Sequence, residues 1–211
     1  MSLTLLSILL SATIALLLLE WRRLPSALNL PIKGDIKRES WWLQQYGQSI
    51  CTPVAGLLIW ELDPAEDATR KAVTLVITVA LTSLACGVLK RVFGRVRPGR
   101  EPAGKFLGPS FQLHGHSHRH SFPSGHTASA IALTAILAAY YPQGWTTFWL
   151  LAVACAGLRY ILDAHWPSDI VAGMAVGYLV AHAGLRVIPP IFDFVARLVW
   201  PYVPEFLRPH L

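Results

Sequence analysis

Apolar residues in this chain fall into long blocks separated by short polar connections. Leu3 to Leu19 runs 17 residues without a charge, and the blocks from Ala72 to Leu89 and from Trp145 to Leu158 repeat the pattern. A helix rises about 1.5 Å per residue and the hydrocarbon layer is about 30 Å thick, so a span takes about 17–25 apolar residues. The blocks predict six helical spans, at about 3–19, 46–61, 72–89, 125–141, 145–162 and 169–188. The second is the weakest: it is short, contains Pro53 and Gly56, and suits a tilted or partly re-entrant helix as well as a crossing one. The expected fold class is therefore all-α, a polytopic membrane helix bundle with interfacial helices. The chain reads as a single domain over residues 1–211, with its core at 46–188.

The polar stretches refine this picture. Residues 33–46 carry Trp41 and Trp42 beside lysine and arginine, a mixture suited to the headgroup layer, so this piece is expected to lie along the membrane surface. After Pro189-Pro190, apolar residues recur at helical spacing around Asp193 and Arg197, which predicts a separate surface helix in the 189–211 tail. Gly173, Gly177 and Ala181 form a small-residue row every four positions, suited to close helix packing within the bundle or, alternatively, between two copies. The first block resembles a signal peptide only in part. No Lys or Arg precedes it, and Glu20-Trp21-Arg22-Arg23 stands where small residues would mark cleavage, so it is read as a retained anchor. With six spans, the connections 20–45, 90–124 and 163–168 share one membrane face.

Composition agrees: 54% of residues are hydrophobic and 14% charged, against about 25% charged in soluble domains. Cys51, Cys86 and Cys155 all sit in apolar blocks without CxxC spacing, so they read as small buried thiols rather than a disulfide or zinc framework. The net charge of +6 is concentrated between Lys90 and Arg119, which points to an anionic substrate or lipid headgroups. No nucleic-acid module is visible.

Ionisable groups at the ends of apolar blocks carry the chemistry, since charge at membrane depth is costly and usually functional. Lys90 and Arg97 are seven residues apart, so on a continuing helix they would point to one side, where Arg97 can fork onto two phosphate oxygens. Arg91 and Arg95 read instead as a membrane-flanking basic cluster. Pro123-Ser124-Gly125-His126 precedes an apolar helix. Ser124 is a suitable N-cap, the first-turn amides would face an anion, and His126 would stand ready to give up a proton. Arg159, His165 and Asp169 close the fifth block and open the sixth. Asp169 lies four residues beyond His165, so on a helical turn its carboxylate can reach one imidazole nitrogen and leave the other to attack. Asp163 is the alternative partner. His114-Gly115-His116-Ser117-His118-Arg119-His120 could attract zinc or copper, but its alternate spacing lacks a carboxylate or cysteine and reads better as solvated loop. His182 reads as a packed, hydrogen-bonded histidine.

These segments resemble the three signature motifs of the type 2 phosphatidic acid phosphatase superfamily, a group that includes vanadium haloperoxidases and bacterial acid phosphatases. The pattern is Lys-x6-Arg-Pro, Pro-Ser-Gly-His and Ser-Arg-x5-His-x3-Asp, matched here by Lys90, Arg97 and Pro98, by Pro123 to His126, and by Arg159, His165 and Asp169. Leu158 departs from it, standing where the family usually has serine. The resemblance implies a membrane-bound lipid phosphatase, acting on lipid phosphate monoesters or polyprenyl diphosphates through a phosphohistidine. In that reading His165 is the nucleophile, Asp169 orients it, and His126 is the acid and base. Lys90, Arg97, Ser124, Gly125 and Arg159 bind phosphate, with no metal or other cofactor. It also implies a site facing the periplasm or exterior of a bacterial cytoplasmic membrane. Two other readings stay open: a lipid phosphotransferase using the same site, and a non-catalytic membrane protein that binds anionic lipid or carries metal on its histidine-rich loop.

Overall fold

The computed structural model describes residues 2–22, 28, 35–48, 50–109, 117–199 and 202. Seven α-helices follow one another among these residues: α1 (Leu3–Trp21), α2 (Asp35–Gln45), α3 (Cys51–Leu62), α4 (Ala68–Phe93), α5 (Gly125–Tyr140), α6 (Trp145–Ile161) and α7 (Pro167–Val199). The only strand-like feature among the described residues is an isolated pairing of Arg95 with Phe106. The chain is all-α, as expected.

α5 forms the centre. Every residue from Thr127 to Thr134 is buried, and α4, α6 and α7 pack around them. One cluster joins Leu75 and Val79 of α4 to Leu133 and Ile136 of α5 and Ala181 of α7; another joins Ala130 and Ile131 to Cys155 of α6 and Tyr178 of α7. Lipid tails are as apolar as leucine, so the hydrophobic effect does not drive helices together within a membrane, and close packing of small residues has to. α7 provides it. A Cβ on Gly173 would lie 2.5 Å from the Ser124 carbonyl oxygen, and one on Gly177 would collide with the Ala128 carbonyl. The small-residue row thus serves packing within the bundle. Gly177→Leu is expected to separate α7 from α5 and destabilise the protein by about 3 kcal/mol or more; an unchanged thermal midpoint in detergent would contradict this packing.

Outward faces are apolar, with Leu10, Ile14, Leu84, Val153 and Leu179 exposed. Three helices, α1, α4 and α7, are long and apolar enough to cross a membrane by length and composition. α3 and α5, of 12 and 16 residues, are apolar but shorter, so length alone does not establish the expected six spans. Residues 46–48 and 50, expected inside the second span, lie in turns and bends instead, and α3 begins at Cys51. The chain nonetheless runs the length of α5 there. Gly47 lies against the His126 carbonyl, while Asp63 accepts hydrogen bonds from Tyr141 Oη (2.6 Å) and Lys71 Nζ (2.9 Å) at the other end. The Tyr141 hydrogen bond, the Ala65 amide and Lys71 together hold the Asp63 carboxyl down at about 2.

The segment around Trp41 and Trp42 is helical, as α2: both tryptophans are exposed while Ser40 and Gln44, one turn apart, are buried. The separate C-terminal helix is corrected. α7 continues unbroken through Pro189 and Pro190 for 33 residues, about 50 Å of helix. Two missing N–H groups cost hydrogen bonds but do not end a helix whose Ile188 is buried and whose Asp193 is tied to Arg70 of α4 at 3.3 Å. α1 is peripheral, with Thr13 as its buried residue, and is pinned at both ends. The Ser2 amide donates to Tyr178 Oη (3.1 Å), and Glu20 accepts from the Ser168 amide (3.0 Å).

Candidate active site

The site is built where α4, α5, α6 and α7 end or begin on one side of the bundle. α4 stops because Gly94 takes a left-handed conformation (φ 57°) and its amide caps the Lys90 carbonyl at 3.0 Å. Lys90 and Arg97 therefore do not share a helix face, contrary to the expectation from their spacing. Beyond Gly94 the chain folds back on itself, with the Val96 amide donating to Lys105 O and the Leu107 amide to Gly94 O. This returns Arg97 to the site from the loop, where its Nη1 donates to the Ala164 carbonyl at 3.4 Å. Lys90 approaches from the helix: its Nζ would lie 3.2 Å from a Cβ on Gly125. Glycine at that position leaves room for the ammonium beside the first turn of α5.

Ser124 occupies the N-cap position of α5 and is fully buried, but its hydroxyl makes no capping hydrogen bond. Instead it accepts the Thr127 hydroxyl at 3.0 Å, while the Ser124 amide donates to the Asp169 carbonyl at 2.8 Å. The expected side-chain cap is corrected. The first-turn amides lack intrahelical partners, as at any helix start, and this suits an anion. His126, on that turn, lies within electrostatic range of Arg159, His165, Lys90 and Arg97.

The turn from α6 to α7 sets the imidazole. The amides of Ala164 and His165 both donate to the Arg159 carbonyl, at 3.1 and 3.2 Å, curling the chain back so that His165 lies beside Arg159. Pro167 then opens α7 at a position where proline loses nothing, and Asp169 reaches back to the Trp166 amide at 3.0 Å in the manner of a capping box. The same carboxylate faces His165, with Oδ2 3.5 Å from Nδ1. That gap is long for a hydrogen bond and leaves Nε2 as the nitrogen away from the carboxylate. Asp163 is not the partner; it accepts from the Leu28 amide at 3.1 Å. Burial pushes the His165 imidazole down to about 4, against the opposing pull of Asp169, with Arg97 and Arg159 adding repulsion. Burial likewise lowers Arg97 from its ordinary value.

The structure therefore brings Lys90, Arg97, Ser124, Gly125, His126, Arg159, His165 and Asp169 to one locality. Sequence reasoning missed the groups that hold them. Arg95, read as a flanking charge, is 2% exposed and donates to Asp169 Oδ1 at 2.6 Å, to Ser168 Oγ at 2.6 Å and to Glu20 Oε2 at 2.7 Å. Arg91 does match that description: it is exposed and donates to the Gly87 carbonyl. Ser121 donates to Asp169 Oδ2 at 2.5 Å. Gln44 of α2 accepts from Arg159 Nη1 at 2.5 Å, so α2 holds a site cation. Of the histidine-rich loop, His114 and His116 lie outside the described residues, and the His118 carbonyl accepts the Arg97 amide at 2.9 Å. His182 is packed, its Nδ1 2.9 Å from the Tyr178 carbonyl. Cys51, Cys86 and Cys155 are free thiols.

The family model described as the PAP2 superfamily matches residues 71–193. This chain belongs to the PAP2 superfamily. Among its PAP2 relatives, a lipid A 1-phosphatase of Rhizobium johnstonii is 38% identical over 104 residues, which is 49% of this chain and 42% of that protein. An undecaprenyl-diphosphatase of Sulfolobus acidocaldarius is 28% identical over 152 residues, covering 69% of this chain and 68% of the other. The match thus spans less than half the length of the rhizobial relative. The crystal structure of a transmembrane PAP2-type phosphatidylglycerolphosphate phosphatase from Bacillus subtilis superposes with a TM-score of 0.51 at 18% identity, over 88% of this chain and 86% of that one. At that identity the likeness establishes the PAP2 membrane fold. The matched PAP2 region contains all the residues expected to handle phosphate and excludes Glu20 and Gln44.

Proposed function

We propose that this PAP2 protein is an integral membrane phosphatase that hydrolyses lipid phosphate monoesters or polyprenyl diphosphates through a phosphohistidine. The observation that carries the reading is the buried His165–Asp169 pair beside Arg97 and Arg159, with His126 and Lys90 close by. The Nε2 lone pair of His165 attacks phosphorus as the bond from phosphorus to the leaving oxygen breaks, and His126 gives that oxygen a proton. Water then adds to phosphorus, yielding its proton to His126, and the P–N bond breaks to release inorganic phosphate. Asp169 balances the positive charge that grows on the imidazole. Lys90, Arg97, Arg159 and the α5 amides hold the phosphoryl oxygens, the role divalent metal plays in other phosphoryl-transfer enzymes.

Low basicity suits the nucleophile: with its ionisation near 4, His165 is neutral and competent at pH 7. The similarity to proteins named lipid A 1-phosphatase and undecaprenyl-diphosphatase favours an amphiphilic phosphate or diphosphate as substrate. We place the site at the periplasmic side of the cytoplasmic membrane, where such headgroups are displayed. Purified protein in detergent with chelator, offered lipid A, undecaprenyl diphosphate, phosphatidylglycerophosphate and phosphatidate, is expected to release phosphate from at least one. Release from none, or only on restoring a divalent metal, would overturn the proposal. Transfer of the group to a lipid acceptor instead of water would identify the phosphotransferase reading.

A further inference from the structure

Two buried carboxylates share the single guanidinium of Arg95. Its Nη2 lies 2.7 Å from Glu20 Oε2 and its Nη1 2.6 Å from Asp169 Oδ1, with side-chain exposures of 6% for Glu20, 2% for Arg95 and none for Asp169. Ser168 bridges the pair: its hydroxyl donates to Glu20 Oε2 at 2.5 Å and accepts from Arg95, and its amide donates to Glu20 Oε1. Removing ions from water costs several kcal/mol each, so a group this dry persists only where every charge is matched. A single carboxylate would have sufficed to neutralise Arg95.

The second changes the electrostatics at the imidazole. Were Arg95 paired with Asp169 alone, the carboxylate facing His165 would be neutralised by its own partner. Glu20 draws on the same guanidinium, so the trio keeps one net negative charge beside His165. That charge is what a histidine needs as it becomes cationic on bonding to phosphorus. We propose that Glu20, on α1 and outside the matched PAP2 region, is a positioning residue that acts through Arg95 and Asp169 on the nucleophile, so that the first membrane helix completes the site. Arg95 is the intermediary and Ser168 the clamp. The inference rests on the phosphohistidine reading above.

Glu20→Gln keeps size and hydrogen-bonding capacity but removes the charge. The kcat is expected to fall about 10–100-fold, the usual cost of losing such a supporting partner, with KM within about twofold because no phosphate contact changes. The acid limb of the kcat–pH profile moves to lower pH, because loss of a nearby negative charge disfavours the imidazolium. The other groups facing His165, namely Asp169 from α7, Arg159 from α6, His126 from α5 and Arg97 from the loop after α4, stay in place. Glu20→Asp is expected to recover most of the rate. Wild-type kcat in Glu20→Gln, or a loss that leaves the acid limb unmoved, overturns the proposal. If Glu20→Gln does not fold, Glu20→Asp carries the test alone: withdrawing the carboxylate by one methylene from Arg95 is expected to move the limb part of the way to lower pH, and an unchanged profile overturns the proposal. A His165→Ala control separates the two ideas. Activity surviving there defeats the phosphohistidine reading, while an inactive His165→Ala beside a wild-type-like Glu20→Gln defeats only the role of Glu20.

Discussion

Phosphate release from the preferred lipid is expected to fall by at least about 10⁴-fold in His165→Ala, because the variant lacks the imidazole that bonds to phosphorus. The fold should survive. His165 Nδ1 has no hydrogen bond shorter than its 3.5 Å approach to Asp169, so little is lost when the ring goes. Purified variant should therefore match the parent in yield and thermal midpoint while failing to turn over. The same ring predicts the pH profile. Burial holds its ionisation near 4 rather than the ordinary 6.5, so the neutral nucleophile persists well into acid and the acid limb lies near pH 4. Stability runs the other way in that window. The unfolded imidazole takes a proton near 6.5 and the folded one only near 4, so folding weakens as pH falls between those values. An acid limb of kcat/KM near pH 6.5 would mean that the ring is solvated or is not the nucleophile.

Asp169→Asn is expected to damage both rate and fold. The carboxylate accepts from Arg95 Nη1, Ser121 Oγ and the Trp166 amide at 2.6, 2.5 and 3.0 Å, and its charge answers that of Arg95. An amide nitrogen in place of one oxygen would face donors, and Arg95 would keep Glu20 as its one anionic partner. Breaking a buried ion pair from one side costs about 3–5 kcal/mol. In other enzymes, replacing the carboxylate that orients a catalytic histidine lowers the rate about 10⁴-fold, and a loss of that order is expected here. The measurement is kcat per folded molecule together with a chemical or thermal unfolding midpoint. A variant with near-normal turnover would show that Asp169 serves the fold alone.

Much of this was legible in the sequence because hydrophobic blocks and motif spacing are local signals. The blocks around 72–89, 125–141 and 145–162 became α4, α5 and α6 within a few residues. The four-residue separation of His165 and Asp169 foretold their approach, because a helix start brings such positions onto one face. Where propensity competes with tertiary contacts the reading failed. Pro189-Pro190 looked like a helix end, yet a buried Ile188 and the Arg70–Asp193 pair carry α7 through it. Lys90 and Arg97 were placed on one helix face, but the left-handed Gly94 intervenes. That glycine, four residues past a lysine and followed by Arg-Val-Arg-Pro, was the available clue.

The supporting residues were invisible for a different reason. Glu20 meets Ser168 across 148 positions of sequence, and Gln44 meets Arg159 across 115, so no periodicity links them. Their only local signs were a carboxylate ending an uncharged run and a glutamine one turn after Ser40 on the buried face of α2. Arg95 was hidden by its neighbours. Among Arg91, Arg95, Arg97 and Arg100 nothing in composition tells the buried one from the others.

The central claim is a covalent bond between phosphorus and one imidazole. Protein mixed with its substrate, quenched in denaturant at alkaline pH where phosphohistidine survives, and analysed by peptide mass spectrometry should carry a phosphoryl group on His165. It should accumulate further in His126→Ala, which lacks the base for the hydrolytic step. Turnover with no phosphorylated His165, or with the phosphoryl group on another residue, would contradict the account.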